Sequence, residues 1–164
     1  MLQPTLPNLD QEIDCRYIEP GPMLEMALNI ATEAHKGQTR RDGTDYVSHP
    51  IGVSQLLSEP TDIILGLLHD VIEDTSWTQD KVSSTLRKAT DAKNYCIDEI
   101  MLGLYLLTHN KKLLSYDEYV TRLTNNPVTV RVKLADIFYN LADDPTKNQK
   151  AKYFKAIPIL LATL

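Results

Sequence analysis

The chain has 164 residues, of which 43% are hydrophobic and 24% charged, as is usual for one globular domain. Its formal net charge of -5 argues against a general nucleic-acid binder, which needs a basic face. The two cysteines are too few for a disulfide framework, the start lacks a secretory pattern, and no apolar stretch is long enough to span a membrane. We therefore expect a cytoplasmic protein that binds neither nucleic acid nor membrane, and the sequence leaves its oligomeric state open.

The first half of the chain separates into an arm and a series of helices. Residues 1–20 contain three of the nine prolines and little periodicity, so we predict an irregular N-terminal arm there. Residues 21–164 are predicted to form a single domain. Apolar residues recur at helix spacing from Met23 to Ala34. Pro50 and Pro60 are predicted to begin the next two helices, because proline fits the first turn of a helix.

The second half continues the helical pattern. Thr75 and Ser76 could cap a short helix whose inner side carries Val82 and Leu86. The clearest amphipathic stripe covers residues 97–107, and further helices are predicted for residues 116–123, 130–141 and 151–161. Residues 127–132 are rich in β-branched side chains and could form either a helix or a strand. The expected fold class is an all-α, single-domain helical bundle.

Residues 67–75 form the most informative segment, in which an adjacent His-Asp pair is followed by an adjacent Glu-Asp pair. On a helix, residues four apart share a face, so His69 would lie one turn from Glu73, and Asp70 one turn from Asp74. Such a cluster at the end of an apolar helix is costly unless it is paired or binds a metal. A polar helix end without a ligand is the structural alternative.

Two further segments carry side chains of the same kind, His49 and Asp136. Together with His69 and Asp70 they supply imidazole nitrogens and carboxylate oxygens without thiolates, which suits manganese, iron or zinc. A structural zinc site would more often use closely spaced cysteines. The pattern therefore indicates a catalytic divalent metal, whereas His35 is expected to pack in the core or to support a ligand and not to bind the metal itself.

Four segments together resemble a known family. They cover residues 34–40, 46–50, 69–75 and 133–140. They are similar to the HD-superfamily metal-dependent phosphohydrolases, in particular to the hydrolase domain of the RelA/SpoT alarmone enzymes and its small stand-alone relatives. The Glu-Asp pair after the His-Asp pair is what separates the alarmone-type hydrolases from other HD proteins. The resemblance implies an HD-type helical bundle, a divalent ion such as Mn²⁺, and hydrolysis of the stringent-response nucleotide (p)ppGpp at its 3′ position.

The resemblance also implies roles for individual residues. The implied metal ligands are His49, His69, Asp70 and Asp136. The implied catalytic pair is Glu73 and Asp74, and which of the two moves the proton stays open. Because neighbouring side chains on a helix point about 100° apart, the ligands at 69 and 70 can reach one ion only near a helix end or a helix junction.

Substrate-binding residues are expected outside the metal cluster. Arg40 and Arg41 lie in a loop bounded by glycines, and guanidinium groups suit phosphate recognition or stacking on a base. A solvated charged loop is the alternative. Asn140 could bond to ribose or phosphate, or only to its own helix. Tyr153 resembles a tyrosine that small relatives place near the nucleotide, although a core position would explain it equally well.

The chain departs from the family pattern at Ile137 and Ala142, where the alarmone hydrolases usually carry basic residues. The lysines that could compensate are Lys111, Lys112, Lys147, Lys150 and Lys152. The expected function is a metal-dependent guanosine-3′,5′-bis(diphosphate) 3′-pyrophosphohydrolase. The alternatives are hydrolysis of another nucleotide and a non-catalytic nucleotide-sensing module. The intact Glu73 and Asp74 favour the enzyme, because a pure binder has no need of a water-activating pair.

Overall fold

The computed structural model describes residues 21–89 and 94–164, and the predicted arm of residues 1–20 lies outside these ranges. Within the described ranges the chain forms nine α-helices. No β-sheet occurs in them, and Thr39 and Asp45 form an isolated bridge. The prediction of an all-α bundle is confirmed. No helix of the described residues is long and apolar enough to cross a membrane.

The helices follow one another with short connections. In chain order they are α1 (Gly21–Ala34), α2 (Ser48–Ser54), α3 (Pro60–Leu68), α4 (Val71–Asp74), α5 (Gln79–Ala89), α6 (Asn94–Leu107), α7 (Tyr116–Leu123), α8 (Pro127–Ala142) and α9 (Lys147–Leu161). Proline occupies the first position of α3 and α8. Helix α2 begins slightly before the predicted start at Pro50, which lies in its first turn, where backbone N–H groups have no intrahelical partner.

Side-chain caps explain where the later helices begin. Asn126 accepts hydrogen bonds from the N–H groups of Val128 and Thr129, so the segment of residues 127–132 starts α8 and is not a strand. The cap of α5 is Thr78, whose hydroxyl lies 3.2 Å from the N–H of Lys81. The predicted cap at residues 75 and 76 is therefore wrong. Thr75 instead follows the end of α4, and its hydroxyl donates to a carbonyl of that helix.

Helix α3 lies at the centre of the bundle, in contact with α1, α2, α6 and α8. Its side chains Ile64, Leu65 and Leu68 are buried, as expected of a helix that is apolar on nearly all sides. Helix α9 packs against α7 and α8, and its buried side chains are Tyr153, Ala156 and Leu160. The bundle thereby fixes the C-terminal end of α3, where the His-Asp pair follows.

Candidate active site

The His-Asp pair lies at the junction between two helices. Helix α3 ends at Leu68 and α4 begins at Val71, so His69 ends one helix and Asp70 precedes the next. The break in the helix brings the two side chains together, with Asp70 Oδ1 3.2 Å from His69 Nε2. This is the helix junction that the sequence requires for both residues to reach one ion.

The other two predicted ligands meet this pair. His49, from the first turn of α2, places its Nε2 atom 3.3 Å from His69 Nε2 and 3.4 Å from Asp70 Oδ2. Asp136, from α8, places Oδ1 3.3 Å from His49 Nε2 and 3.7 Å from His69 Nε2. Donor atoms of His49, His69 and Asp70 all lie within 4.8 Å of one another. Three separate segments therefore present imidazole nitrogens and carboxylate oxygens to one point.

Hydrogen bonding sets the orientation of His69. Its Nδ1 atom lies 2.8 Å from the carbonyl oxygen of Gly66. Because a carbonyl can only accept, Nδ1 carries a proton, and Nε2 is the nitrogen that faces the cluster. Both His69 and His49 are buried. This donor set fits a divalent metal ion, for which neutral imidazole and carboxylate are suitable ligands.

Asp136 is held from both sides by residues of its own helix. Lys133 Nζ lies 2.7 Å from Oδ2, and Asn140 Nδ2 lies 2.5 Å from Oδ1. Asn140 therefore makes the local hydrogen bond that the sequence left as an alternative to nucleotide binding. The sequence analysis missed Lys133, although its position three residues before Asp136 is a spacing at which helical side chains interact.

The electrostatics of the cluster link the imidazoles to the carboxylates. Burial lowers the pKa of His69, but the charge of Asp70 and hydrogen bonding to Asp136 and Asp70 raise it well above its usual value. Burial similarly lowers the pKa of His49, and hydrogen bonds to the same carboxylates raise it on balance. Burial raises the pKa of Asp136, yet the cation of Lys133 brings it well below the usual range. Protons and a divalent cation would thus compete for the same imidazole nitrogens.

Glu73 and Asp74 lie on α4, and their surroundings differ. Glu73 Oε2 accepts from the backbone N–H of His109 at 3.0 Å, and Oε1 lies 2.8 Å from Lys111 Nζ. Asp74 faces the Tyr46 hydroxyl, whose oxygen is 3.4 Å from Asp74 Oδ2 and 2.8 Å from Asp70 Oδ2. Partial burial, followed by the charges of Asp70 and Glu73, raises the pKa of Asp74. The pair thus combines a carboxylate beside a cation with one that holds a proton more readily.

The cluster opens into a cleft of about 360 Å³. Nine predicted site residues line it, namely Arg40, Arg41, His49, Asp70, Glu73, Asp74, Asp136, Asn140 and Tyr153. The remaining one, His69, is buried beside the cleft in contact with His49. Lining residues that the sequence analysis did not assign to the substrate include Tyr46, Lys133, Asp143 and Gln149. The structure therefore brings every predicted site residue to one place.

The arginine loop (residues 37–43) forms one wall of the cleft. Gly37 and Gly43 have positive φ angles of 80° and 85°, which glycine adopts without strain. The Arg40 guanidinium pairs with Asp143 and lies 5.2 Å from the ring centroid of Tyr139. Its side chain is only 10% exposed, so it is not part of a solvated loop. Arg41 is exposed, and its guanidinium donates to Gln149 Oε1 at 3.2 Å.

Three further positions that the sequence singled out lie outside the cluster. His35 is buried, its ring is 4.8 Å from that of Tyr46, and its Nδ1 atom pairs with Gln38 Oε1 at 2.9 Å. This agrees with the expected packing role. Ile137, one of the two positions where the resemblance implied a basic residue, is completely buried, and the other, Ala142, is exposed. Helix α8 therefore directs position 137 into the core of this chain.

Known proteins resemble this chain in sequence. No family model matches it. It is 35% identical over 133 residues to the guanosine-3′,5′-bis(diphosphate) 3′-pyrophosphohydrolase MESH1 of Homo sapiens, an alignment that covers 76% of this chain and 70% of that protein. Against MESH1 of Danio rerio the identity is 36% over 128 residues, covering 71% of this chain and 66% of the relative.

A longer protein and a solved structure are also similar. The chain is 27% identical over 124 residues to a probable GTP pyrophosphokinase of Mycobacterium leprae (strain TN), but the match spans 73% of this chain and only 15% of that protein. A solved structure described as a metazoan ortholog of SpoT that hydrolyzes ppGpp has a TM-score of 0.69. That match covers 89% of this chain and 87% of the other at 22% identity, so it establishes a common fold.

Proposed function

Because this chain belongs to the family of MESH1-type guanosine-3′,5′-bis(diphosphate) 3′-pyrophosphohydrolases, we propose that it releases pyrophosphate from the 3′ position of (p)ppGpp. The observation that carries this proposal is that one cleft contains a cluster of histidine and aspartate donors, a separate Glu-Asp pair and an arginine loop. A nucleotide substrate and the low cysteine count favour the cytoplasm as its location.

We assign His49, His69, Asp70 and Asp136 as the protein ligands of a divalent ion, for which we propose Mn²⁺. Imidazole nitrogens and carboxylate oxygens suit this ion, and thiolates are not part of the cluster. When bound, such an ion lowers the pKa of a water molecule and neutralises charge on phosphoryl oxygens. Lys133 and Asn140 support this assignment because they restrain the carboxylate of Asp136.

We assign proton handling to Glu73 and Asp74. The reaction requires a water oxygen to bond to phosphorus, the bond from phosphorus to the 3′ oxygen to break, and that oxygen to gain a proton. Glu73 is suited to orient or deprotonate the water, because a backbone N–H and Lys111 hold its carboxylate in place. Asp74 is the better candidate for supplying the proton, since its pKa is raised.

We propose that the arginine loop and α9 hold the nucleotide. Arg40 is kept in position by Tyr139 and Asp143, which suits stacking on a base. Arg41 is exposed at the cleft and suits a phosphate. Tyr153 supplies an aromatic wall. For Asn140 we propose that one amide hydrogen bonds to Asp136 while the other is available to ribose or phosphate.

The test is a product analysis with purified protein, ppGpp and added Mn²⁺. We expect equal amounts of pyrophosphate and GDP. If phosphate or pyrophosphate were released only from other nucleotides, one of those nucleotides and not (p)ppGpp would be the substrate. Binding of ppGpp without any product, despite bound metal, would favour a sensing module and contradict the proposed reaction.

A further inference from the structure

The positive charges that line the cleft are largely balanced already. Three of the four cationic side chains that line it face carboxylates of the same cleft. These pairs are Arg40 with Asp143, Lys111 with Glu73, and Lys133 with Asp136. The substrate of the proposed function carries two diphosphates, and the metal cluster can neutralise only the one that reacts. The fourth, Arg41, donates to Gln149 and not to a carboxylate, so it is available to one phosphate. A second diphosphate carries more than one negative charge and therefore calls for a further cation that no carboxylate occupies.

Lys152 on α9 is such a cation. Its Nζ atom lies 4.5 Å from the ring centroid of Tyr116 and 4.9 Å from that of Tyr153. No carboxylate forms an ion pair with it within residues 21–89 and 94–164. The two aromatic faces hold the ammonium group by cation–π attraction without consuming its hydrogen-bond donors. Lys152 is therefore positioned, partly buried and able to donate to a ligand.

Lys152 lies next to the cleft. Tyr153, which it contacts, lines the cleft. The charged groups that act on Lys152 are Lys133, Asp136, Lys111 and Glu73, all of them lining residues. Burial and then the neighbouring Lys133 cation lower the pKa of Lys152, so an anion bound there would relieve an unfavourable charge.

A second unsatisfied polar group lies beside it. The hydroxyl of Tyr116 is buried and has no hydrogen-bond partner in the part of the chain that the structure describes. The Tyr116 ring is one of the two that hold the Lys152 ammonium. Buried hydroxyls are normally paired with protein or water, so this one lacks a partner that a polar group beside Lys152 could supply.

We propose that Lys152 binds the 5′-diphosphate of the nucleotide and thereby selects substrates phosphorylated at both the 3′ and the 5′ positions. This inference rests on the proposed function. Lys152 would provide a positive charge that position 137 does not supply in this chain, where an isoleucine is buried in the core. Of the other lysines that the sequence offered, Lys112, Lys147 and Lys150 are exposed, whereas Lys152 is partly buried.

The experiment compares two nucleotides that differ only at the 5′ position, ppGpp and guanosine 3′-diphosphate with a free 5′-hydroxyl. The variant Lys152→Met keeps an apolar stem on the two tyrosine rings and removes the charge. A hydrogen-bonded ion pair typically contributes about tenfold or more in affinity, so KM for ppGpp should rise about tenfold with kcat nearly unchanged. KM for the 5′-hydroxyl nucleotide should not change.

Two further variants complete the design. Lys152→Arg keeps the positive charge and should restore most of the affinity for ppGpp. Lys155→Met removes an exposed lysine from the same helix and should leave both KM values unchanged. Thermal unfolding of each variant shows whether α9 is still packed, and a destabilised Lys152→Met is replaced by Lys152→Gln in the same comparison.

The outcomes separate this inference from the proposed function. If the wild-type protein hydrolyses neither nucleotide, the proposed function is wrong and the assignment of Lys152 fails with it. If the wild-type protein hydrolyses both, but Lys152→Met raises the two KM values equally or leaves both unchanged, only the assignment of Lys152 is overturned. A rise confined to ppGpp that arginine reverses supports the inference.

Discussion

At the scale of single residues, the two carboxylates that follow the His-Asp pair differ in what holds them. Glu73 has one oxygen on a backbone N–H and the other on Lys111, whose side chain is 71% exposed. In the described residues, the side chain of Asp74 makes one hydrogen bond, with the hydroxyl of Tyr46. A fixed carboxylate suits the orientation of water, so Glu73 is the residue whose charge can be tested most directly.

We expect Glu73→Gln to slow the chemical step while metal content and KM stay close to wild type. The amide keeps an oxygen for the His109 N–H but removes the negative charge. General acid–base groups contribute about 10²- to 10⁴-fold, so kcat should fall within that range. Steady-state kinetics and metal analysis measure both effects, with Glu99→Gln on the exposed face of α6 as control. A near wild-type kcat would remove Glu73 from the mechanism, and loss of metal would make it a ligand.

Single residues also show what the sequence could not decide. The sequence allowed Asn140 to bind either ribose or its own helix, and the distance of 2.5 Å to Asp136 identifies the second contact. Lys133 was missed because lysines at helical spacing from an aspartate are usually surface pairs. Here its side chain is only 14% exposed, with Nζ 5.4 Å from the ring centroid of Tyr119. That burial depends on α7, which the local pattern around Lys133 does not reveal.

At the scale of the helices, the close approach of α2 to α8 connects the arginine loop to the metal cluster. A Cβ atom at Gly52 would lie 2.0 Å from Cε2 of Tyr139, so only glycine allows the present position of that ring. The same ring has its centroid 5.3 Å from that of His49 and supports the guanidinium of Arg40. Displacement of one side chain would therefore disturb both walls of the cleft.

We predict that Gly52→Ala raises KM and destabilises the protein. Overpacking of this kind typically costs about 1–3 kcal/mol, which lowers Tm by several degrees in a domain of this size. Thermal unfolding and steady-state kinetics measure the two effects. Gly21→Ala is the matched control, because among the described residues no atom outside its own turn of α1 lies within 4 Å of a Cβ atom placed there. Wild-type Tm and KM in Gly52→Ala would mean that Tyr139 moves freely and does not position Arg40.

The capping box of α7 predicts a pH-dependent contribution to stability. The Ser115 hydroxyl and backbone N–H both donate to Glu118 and lower its pKa below the ordinary value of 4.5. A carboxyl whose pKa is lowered in the folded state stabilises the fold at pH values above its ordinary pKa. This contribution is lost as the pH falls through the folded-state pKa. Glu118→Ala should therefore lower Tm at pH 7, and the difference from wild type should shrink in acid. Asp117→Ala, on the same turn but outside the box, should show a smaller change; equal changes would contradict this role.

At the scale of the whole molecule, the local sequence pattern predicted where the helices lie better than it predicted which helices contact one another. The prolines at 50 and 60 and the apolar stripe of α6 marked elements that the structure contains. The segment of residues 127–132 stayed ambiguous, because its choice of helix depends on the Asn126 cap and on burial of Val130 and Val132. Nor could the sequence tell that Lys152 would lie beside the cleft, against Tyr116 and Tyr153, since that follows from the packing of α9 against α7 and α8.

The metal cluster joins α2, the α3–α4 junction and α8, so we predict that removing the ion weakens the whole fold. A ligand that binds only the folded state stabilises it, by about 2.7 kcal/mol when its free concentration is 100-fold above Kd. Chelation with EDTA should therefore lower Tm, and added Mn²⁺ should restore it. His69→Ala and Asp136→Ala should contain less than the approximately one ion per chain expected of the wild type, and their Tm should respond little to EDTA. Asp80→Ala, an exposed carboxylate on α5, should behave like wild type in both measurements. Full occupancy by elemental analysis in both ligand variants would show that the ion binds elsewhere.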